Sequence, residues 1–256
     1  MRLRYGVLPV VLMVAACAAV PGGRGIATGH GAAGALVPLY TYPTDPTWGR
    51  VLAARQANPL VPVLAIANPA SGAGNARNPD YVSGIDRLQQ GGVAVLGYVD
   101  TAYGRRRPRQ ARLEIYRYWS WYRVAGIFFD QMANTSGKEG YYADLSAYAA
   151  SLGMATTVGN PGTQTRESYL RSVDVLVLHD SAALPDTAAL CGDWHSRYPR
   201  ERFATLSYGV ASLDAAAISR VSGCAGFVHV TNDSLPNPWD SLPPYFESLV
   251  GLLASL

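Results

Sequence analysis

The chain has 256 residues, 49% apolar and only 15% charged, with a formal net charge of +3. That is enough apolar material for one large α/β domain or two small ones, and it excludes a mostly disordered chain. The near balance of charge gives no reason to expect nucleic acid as a partner.

Met1 to Arg4 form a basic start, followed by an apolar run over Tyr5–Ala16. The run is too short to span a bilayer as a mature helix and reads as an export signal over residues 1–16. It ends Val14-Ala-Ala-Cys17, which resembles a bacterial lipobox with Cys17 as the lipidated first mature residue. Cleavage after Ala18 is the competing reading. Removing residues 1–16 takes away Arg2 and Arg4 and no acid, which lowers the net charge from +3 by two to +1. The Gly/Ala-rich residues 17–34 read as a flexible tether, which leaves residues 35–256 as the folded domain. The expected setting is extracellular or in the cell envelope, with a membrane surface engaged through the lipid alone. With Cys17 lipidated or lost, Cys191 and Cys224 remain as a pair in an exported protein. They form either a disulfide or two buried thiols, and their spacing does not suit zinc.

From residue 35 onward one unit repeats: a short apolar strand, a polar loop, an amphipathic helix. Strands are expected at Ala35–Tyr40, Val61–Ala67, Val93–Val99, within Val124–Gln131, and at Met154–Val158, Val173–Leu178, Phe203–Tyr208 and Ala225–Val230. Helices are expected near Thr47–Asn58, Pro79–Gly91, Pro108–Tyr122, Tyr141–Leu152, Arg166–Arg171, Asp186–Ser196, Leu213–Val221 and Leu242–Leu256. The central run Val124-Ala-Gly-Ile-Phe-Phe-Asp-Gln131 is apolar on both faces, as a strand buried on both sides of a parallel sheet must be. Eight such units in about 220 residues is the count and size of a (β/α)₈ barrel. An open doubly wound sheet would usually show a GxGxxG phosphate loop after a strand, and none is present.

In such a barrel the residues just after each strand converge on one mouth. Here they are Tyr40 and Tyr42, Asn68, Asp100 and Tyr103, Asp130 and Gln131, and Asn160. The later strands add His179 and Asp180, Tyr208 and Gly209, and Thr231, Asn232 and Asp233. Each alone reads first as a loop-stabilising group. Together, aromatic faces with Asn and Asp hydrogen-bonding groups suit a sugar, apolar on its face and polar at its rim. No Ser or Cys nucleophile stands beside a base. Arg105-Arg-Arg107 and Arg109 read as a solvated helix start. His179, Asp180, Asp130 and His229 lack paired-His spacing, so neither a metal nor a cofactor is expected.

Six segments carry a resemblance: Val37-Pro-Leu-Tyr-Thr-Tyr-Pro43, Asn68-Pro-Ala-Ser-Gly-Ala-Gly74, Leu96-Gly-Tyr-Val-Asp-Thr-Ala-Tyr103, Gly126-Ile-Phe-Phe-Asp130, Gly159-Asn-Pro-Gly162 and Leu235-Pro-Asn-Pro238. Together they resemble the spherulin-4-like family (spherulation-specific family four). The resemblance implies a (β/α)₈ fold and kinship with glycoside hydrolases acting on galactosamine-containing exopolysaccharide. It also implies a catalytic Asp ending strand four, matched by Asp130, and a Glu ending strand six, which falls at His179. The Asp's neighbour, usually Glu, is Gln131. Glycoside hydrolysis normally uses two carboxyl groups. His179 is then the expected general acid, with Asp180 as the other candidate. Because successive strand residues face opposite sides, Asp180 is expected to point away from the site. Tyr40, Asn68, Tyr98, Asp100, Tyr103, Gln131, Asn160, Tyr208 and Asn232 are the expected substrate contacts. Two functions follow: hydrolysis of an amino-sugar polysaccharide centred on Asp130, or carbohydrate binding on a barrel that has lost catalysis. A second carboxyl group about 5 to 9.5 Å from Asp130 and facing the same cavity separates them.

Overall fold

The computed structural model describes residues 31–256. The export signal, Cys17 and most of the tether lie outside the described residues. Eight parallel strands close into a barrel in chain order: β1 (Gly34–Leu39), β2 (Val63–Ala67), β3 (Ala94–Asp100), β4 (Gly126–Asp130), β5 (Thr156–Gly159), β6 (Val175–Ala182), β7 (Phe203–Tyr208) and β8 (Phe227–Val230). The ring closes where β1 pairs with β8 and the Gly34 N–H donates to Gly226 O at 2.7 Å. Gly34, expected to end the tether, is therefore already strand, and a Cβ there would collide with the Phe227 ring.

Alternation explains why the strands read as unbroken apolar runs. Leu36, Ile66, Leu96, Phe128, Val158, Val175, Val177, Leu206 and Phe227 point inward and fill the barrel. Val37, Ala65, Val99, Ile127, Phe129, Leu176 and Val228 point outward into a second core beneath the helices. A strand with apolar partners on both faces has no polar side to display. Gly97 on β3 lets the Tyr118 ring lie against the sheet, where its hydroxyl donates to Ala67 O at 3.2 Å.

The helices α1 (Pro46–Ala57), α2 (Pro79–Gln90), α3 (Pro108–Arg117), α4 (Glu139–Ser151), α5 (Thr187–Cys191), α6 (Ala215–Ser222) and α7 (Phe246–Leu253) cover the outside. Side-chain caps fix the starts of α1, α2, α5 and α6. Asp45 accepts the Thr47 N–H at 2.9 Å, Asn78 that of Asp80 at 2.9 Å, and Asp214 that of Ala217 at 3.0 Å. Pro46 and Pro79 sit at the first helical turn, where a missing N–H costs nothing.

Departures from the expected elements are local. The helix expected over Pro108–Tyr122 is α3 followed by a wider turn over Tyr118–Tyr122. The helix expected near Arg166–Arg171 is a 3₁₀ segment, Glu167–Arg171. The one expected near Asp186–Ser196 is only α5, broken at Gly192 and continued as a 3₁₀ turn over Asp193–Arg197. β6 runs four residues beyond its expected end, to Ala182. A disulfide joins Cys191 at the end of α5 to Cys224 after α6, with Cα atoms 5.1 Å apart.

Candidate active site

Inward-facing positions carry the site. Register pairs Tyr98 with Phe128 and Asp100 with Asp130, so both Asp side chains continue the interior rows of β3 and β4. Asn160 follows Val158 on the interior row of β5 and is buried. Asp130 accepts the Tyr98 hydroxyl at 2.7 Å on one oxygen and an Asn160 amide N–H at 2.9 Å on the other.

The Asn160 amide nitrogen has two hydrogens, and the second goes to Asp180 Oδ2 at 2.8 Å. Its carbonyl oxygen accepts the Gly162 N–H at 3.0 Å, which fixes the orientation of the amide. Two bonds from one nitrogen, 2.9 and 2.8 Å, hold those carboxylate oxygens within about 5.7 Å of each other.

The expectation for β6 is thereby corrected. A β-bulge shifts the register between Val177 and His179, so that Val177 pairs with Ala204 but His179 pairs with Thr205. Asp180 then pairs with Leu206, whose side chain fills the barrel interior. An extra residue inverts the side-chain alternation downstream of it. Asp180 therefore faces Asp130, and His179 turns outward, its Nε2 3.0 Å from Ala183 O. A carboxyl group occupies the place where the imidazole was expected.

Electrostatics separate the two carboxyl groups. Burial pushes Asp180 up to about 6; the Asn160 N–H opposes the shift and the nearby Asp130 charge adds to it. Burial also raises Asp130, but three donors pull it back: the Tyr98 hydroxyl, the Gln131 backbone N–H and the Asn160 amide. Three donors stabilise the Asp130 anion, and Asp180 keeps its proton up to about pH 6. Burial, then the charge of Asp130, raises the Tyr40 phenol, which stays protonated as a donor in the same space.

The other expected contacts divide by geometry. Tyr40 and Tyr98 pack edge to face inside the mouth, ring centroids 5.9 Å apart. Tyr208 packs edge to face on Trp239 at 6.0 Å. Trp239, partly exposed in the long loop after β8, was not among the expected contacts, although the Leu235-Pro-Asn-Pro238 segment leads straight into it. Asn68 holds its own loop, accepting the Gly72 N–H at 2.8 Å. Asp100 accepts the Ala102 N–H at 2.7 Å, and Asp233 accepts the Ser241 hydroxyl. Tyr42 leans away to donate to Asp80 at 2.6 Å. Tyr103 and Asn232 are exposed at the rim.

Gln131 adopts a left-handed backbone with φ +47°, and its carbonyl accepts the Tyr103 N–H at 2.7 Å and the Thr101 hydroxyl at 2.8 Å. The Gln131 backbone N–H favours the ionised Asp130 carboxylate. Arg106, expected to be solvated, instead donates to Asp100 O at 2.8 Å and pairs with buried Glu114. Glu114 in turn accepts the Ala73 N–H at 2.8 Å, tying the loops after β2 and β3 together. A cavity of about 700 Å³ on the outer flank between α4 and Arg202 contains neither Asp130 nor Asp180. The paired carboxyl groups sit at the barrel mouth.

Fold and site together define a (β/α)₈ barrel with two inward carboxyl groups bridged by an amide at the C-terminal ends of its strands. The chain belongs to spherulation-specific family 4, whose model matches residues 34–253. It is 34% identical over 150 residues to spherulin-4 of Physarum polycephalum, a stretch that is 57% of this chain and 44% of that protein. Its fold is similar to that of Aspergillus clavatus Sph3, solved in complex with GalNAc, with TM-score 0.78 and 23% identity over 88% of this chain and 98% of that one. The Bacillus cereus spore cortex-lytic enzyme SleL is a more distant likeness, with TM-score 0.53 and 10% identity over 86% and 74%.

Proposed function

We propose that the protein is an exported glycoside hydrolase acting on a polysaccharide that contains galactosamine-type sugars. The observation that carries this reading is the Asn160 amide donating to both Asp130 and Asp180. It holds one oxygen of each carboxyl group no more than about 5.7 Å apart, within reach of the roughly 5 to 5.5 Å of enzymes that retain anomeric configuration. Asp130, ionised and held by Tyr98 and Asn160, attacks the anomeric carbon. Asp180 gives its proton to the departing glycosidic oxygen, then takes one from the water that releases the sugar. Tyr40, Tyr208 and Trp239 offer the aromatic and hydroxyl surface for the ring. The complex of Sph3 with GalNAc supports N-acetylgalactosamine as the unit to test first.

Export rests on the basic start, the apolar run and Cys17, which would hold the domain at a membrane surface. Mass spectrometry of the mature N-terminus tests it: an unmodified terminus beyond Cys17 removes the anchor. The activity is tested by reducing-sugar release from amino-sugar polymers, with Asp130→Asn and Asp180→Asn as controls. Release that either substitution abolishes is the expected result. Binding of polymer without release by the parent chain would replace hydrolysis with carbohydrate binding.

A further inference from the structure

The Arg-rich run after β3 is the largest concentration of charge that the barrel mouth leaves unused. Arg2, Arg4 and Arg24 precede residue 31, so the described residues carry 18 Lys and Arg against 18 Asp and Glu and are neutral overall. Residues 101–125 alone hold seven Arg and one acid, a net +6, which leaves −6 on all the other described residues. That one acid, Glu114, is buried and paired with Arg106. Apolar exposure collects on the same stretch: Tyr103, Leu113 and Tyr116 are three of the six large apolar side chains exposed among the described residues. Along α3 and the turn after it, Arg109, Leu113, Tyr116, Trp119 and Arg123 follow at spacings of three or four residues and form one outer stripe. Tyr116 lies against Trp119 with ring centroids 5.5 Å apart, and the Arg123 guanidinium sits 4.6 Å from the Trp119 ring centre.

We propose that this stripe is a second membrane contact, besides the lipid expected at Cys17, and that it docks the barrel on an anionic phospholipid surface. The proposal does not depend on the hydrolase reading. A headgroup layer offers phosphates to the arginines and, beneath them, acyl chains to Leu113 and the aromatic rings. A soluble polyanion would satisfy the charge but leave Leu113 and Tyr116 in water. α3 runs back from the mouth end of β3 to the opposite end of β4. A barrel lying on α3 therefore opens its mouth along the membrane rather than into it.

The test is co-sedimentation of the full chain carrying Cys17→Ser, which removes the lipid from every arm, with two kinds of vesicle: phosphatidylcholine alone, or mixed equally with phosphatidylglycerol. The parent should bind the mixed vesicles far more tightly than the neutral ones. Arg107→Gln, Arg109→Gln and Arg123→Gln together should weaken that binding roughly 100-fold, at about fivefold per Arg near an anionic surface. Arg166→Gln, Arg171→Gln and Arg220→Gln remove as much charge from exposed sites elsewhere and should change it far less. Leu113→Ser with Tyr116→Ser should weaken it about tenfold, an effect that added salt does not abolish. All these side chains are exposed, so an unchanged Tm is expected and shows that each variant is folded. Equal binding of the parent to both kinds of vesicle, or equal losses from the two Arg triples, would overturn the proposal. So would unaltered binding after the Leu113 and Tyr116 changes, which would reassign the face to a soluble polyanion.

Discussion

Replacing Asp180 by Asn should stabilise the fold while removing activity, and the two effects should share one pH dependence. The carboxyl titrates at about 6 in the folded chain, above its ordinary value of about 4, chiefly because it is desolvated. The folded state therefore holds this proton more tightly than the unfolded state. The resulting stabilisation is complete below the unfolded value and is lost as pH rises through about 6. At pH 8 the ionised group costs the fold up to about 3 kcal/mol, from roughly two units at 1.36 kcal/mol each, and partial contact with solvent lowers that to about 1 to 3. Asn keeps the acceptor for the Asn160 amide and carries no charge. For a domain of this size the expected gain in Tm at pH 8 is roughly 3 to 10 °C, shrinking to nothing at pH 4. Hydrolysis of polymer should fall by about 10² to 10⁴, the usual worth of a general acid. In the parent enzyme kcat/KM should decline as pH rises through about 6, because the acid form is the working one. Scanning calorimetry at the two pH values, alongside the pH–rate profile, makes the check. A Tm that does not move at pH 8, or moves equally at pH 4, would show that Asp180 is not desolvated and would remove the basis of its role.

Tyr98→Phe removes a donor that lowers the Asp130 pKa, so the acid limb of the pH–rate profile should move to higher pH and the rate should fall by about 10- to 100-fold. Trp239→Ala should raise KM for polymer by up to about tenfold and leave the pH profile in place, since aromatic contacts of this kind are worth about 0.5 to 1.5 kcal/mol. Cys191→Ser with Cys224→Ser opens a loop with a sequence separation of 33. In the loop-entropy picture this should cost about 3 to 4 kcal/mol, read as a lower denaturant midpoint. Glu114→Gln weakens the pairing with Arg106 that ties the loops after β2 and β3, and should lower stability by about 1 to 3 kcal/mol.

The barrel was legible because each level of the sequence agreed with it. Two-faced apolar runs gave all eight strands, and the helices followed from the repeating strand–helix unit, their starts held in the structure by caps such as Asp45, Asn78 and Asp214. What failed was helix length, after β8, where α7 covers only Phe246–Leu253 of the expected Leu242–Leu256, and around β5 and β6. The Arg166–Arg171 and Asp186–Ser196 stretches hold enough helix formers, but the first tightens into a 3₁₀ turn and the second breaks where Asp193 takes φ +52°. That break lies between Cys191 and Trp194. The disulfide holds one side of it, and packing of Trp194 on Phe203, ring centroids 5.7 Å apart, holds the other. Both are tertiary constraints that no local window contains.

The active site shows how a period-two argument depends on an unbroken period. Asp130, Tyr98 and Asn160 face the mouth because β3, β4 and β5 pair in register with no interruption up to their last residues. On β6 the same rule put His179 inside and Asp180 outside, and one bulged residue reversed it. Nothing in Val173–Asp180 marks the bulge; neither Gly nor Pro interrupts the run. With Val177 opposite Ala204, an uninterrupted ladder would set Leu178 opposite Thr205 and His179 opposite Leu206. That would turn the imidazole, in place of the Asp180 carboxyl, toward Asp130 and Asn160. With the bulge, the position opposite Leu206 is instead Asp180, which finds an amide donor waiting on β5. The carboxyl group that the family resemblance implies at His179 therefore stands one residue further on, at Asp180. The second acid of the site is in the sequence, next to where the pattern pointed.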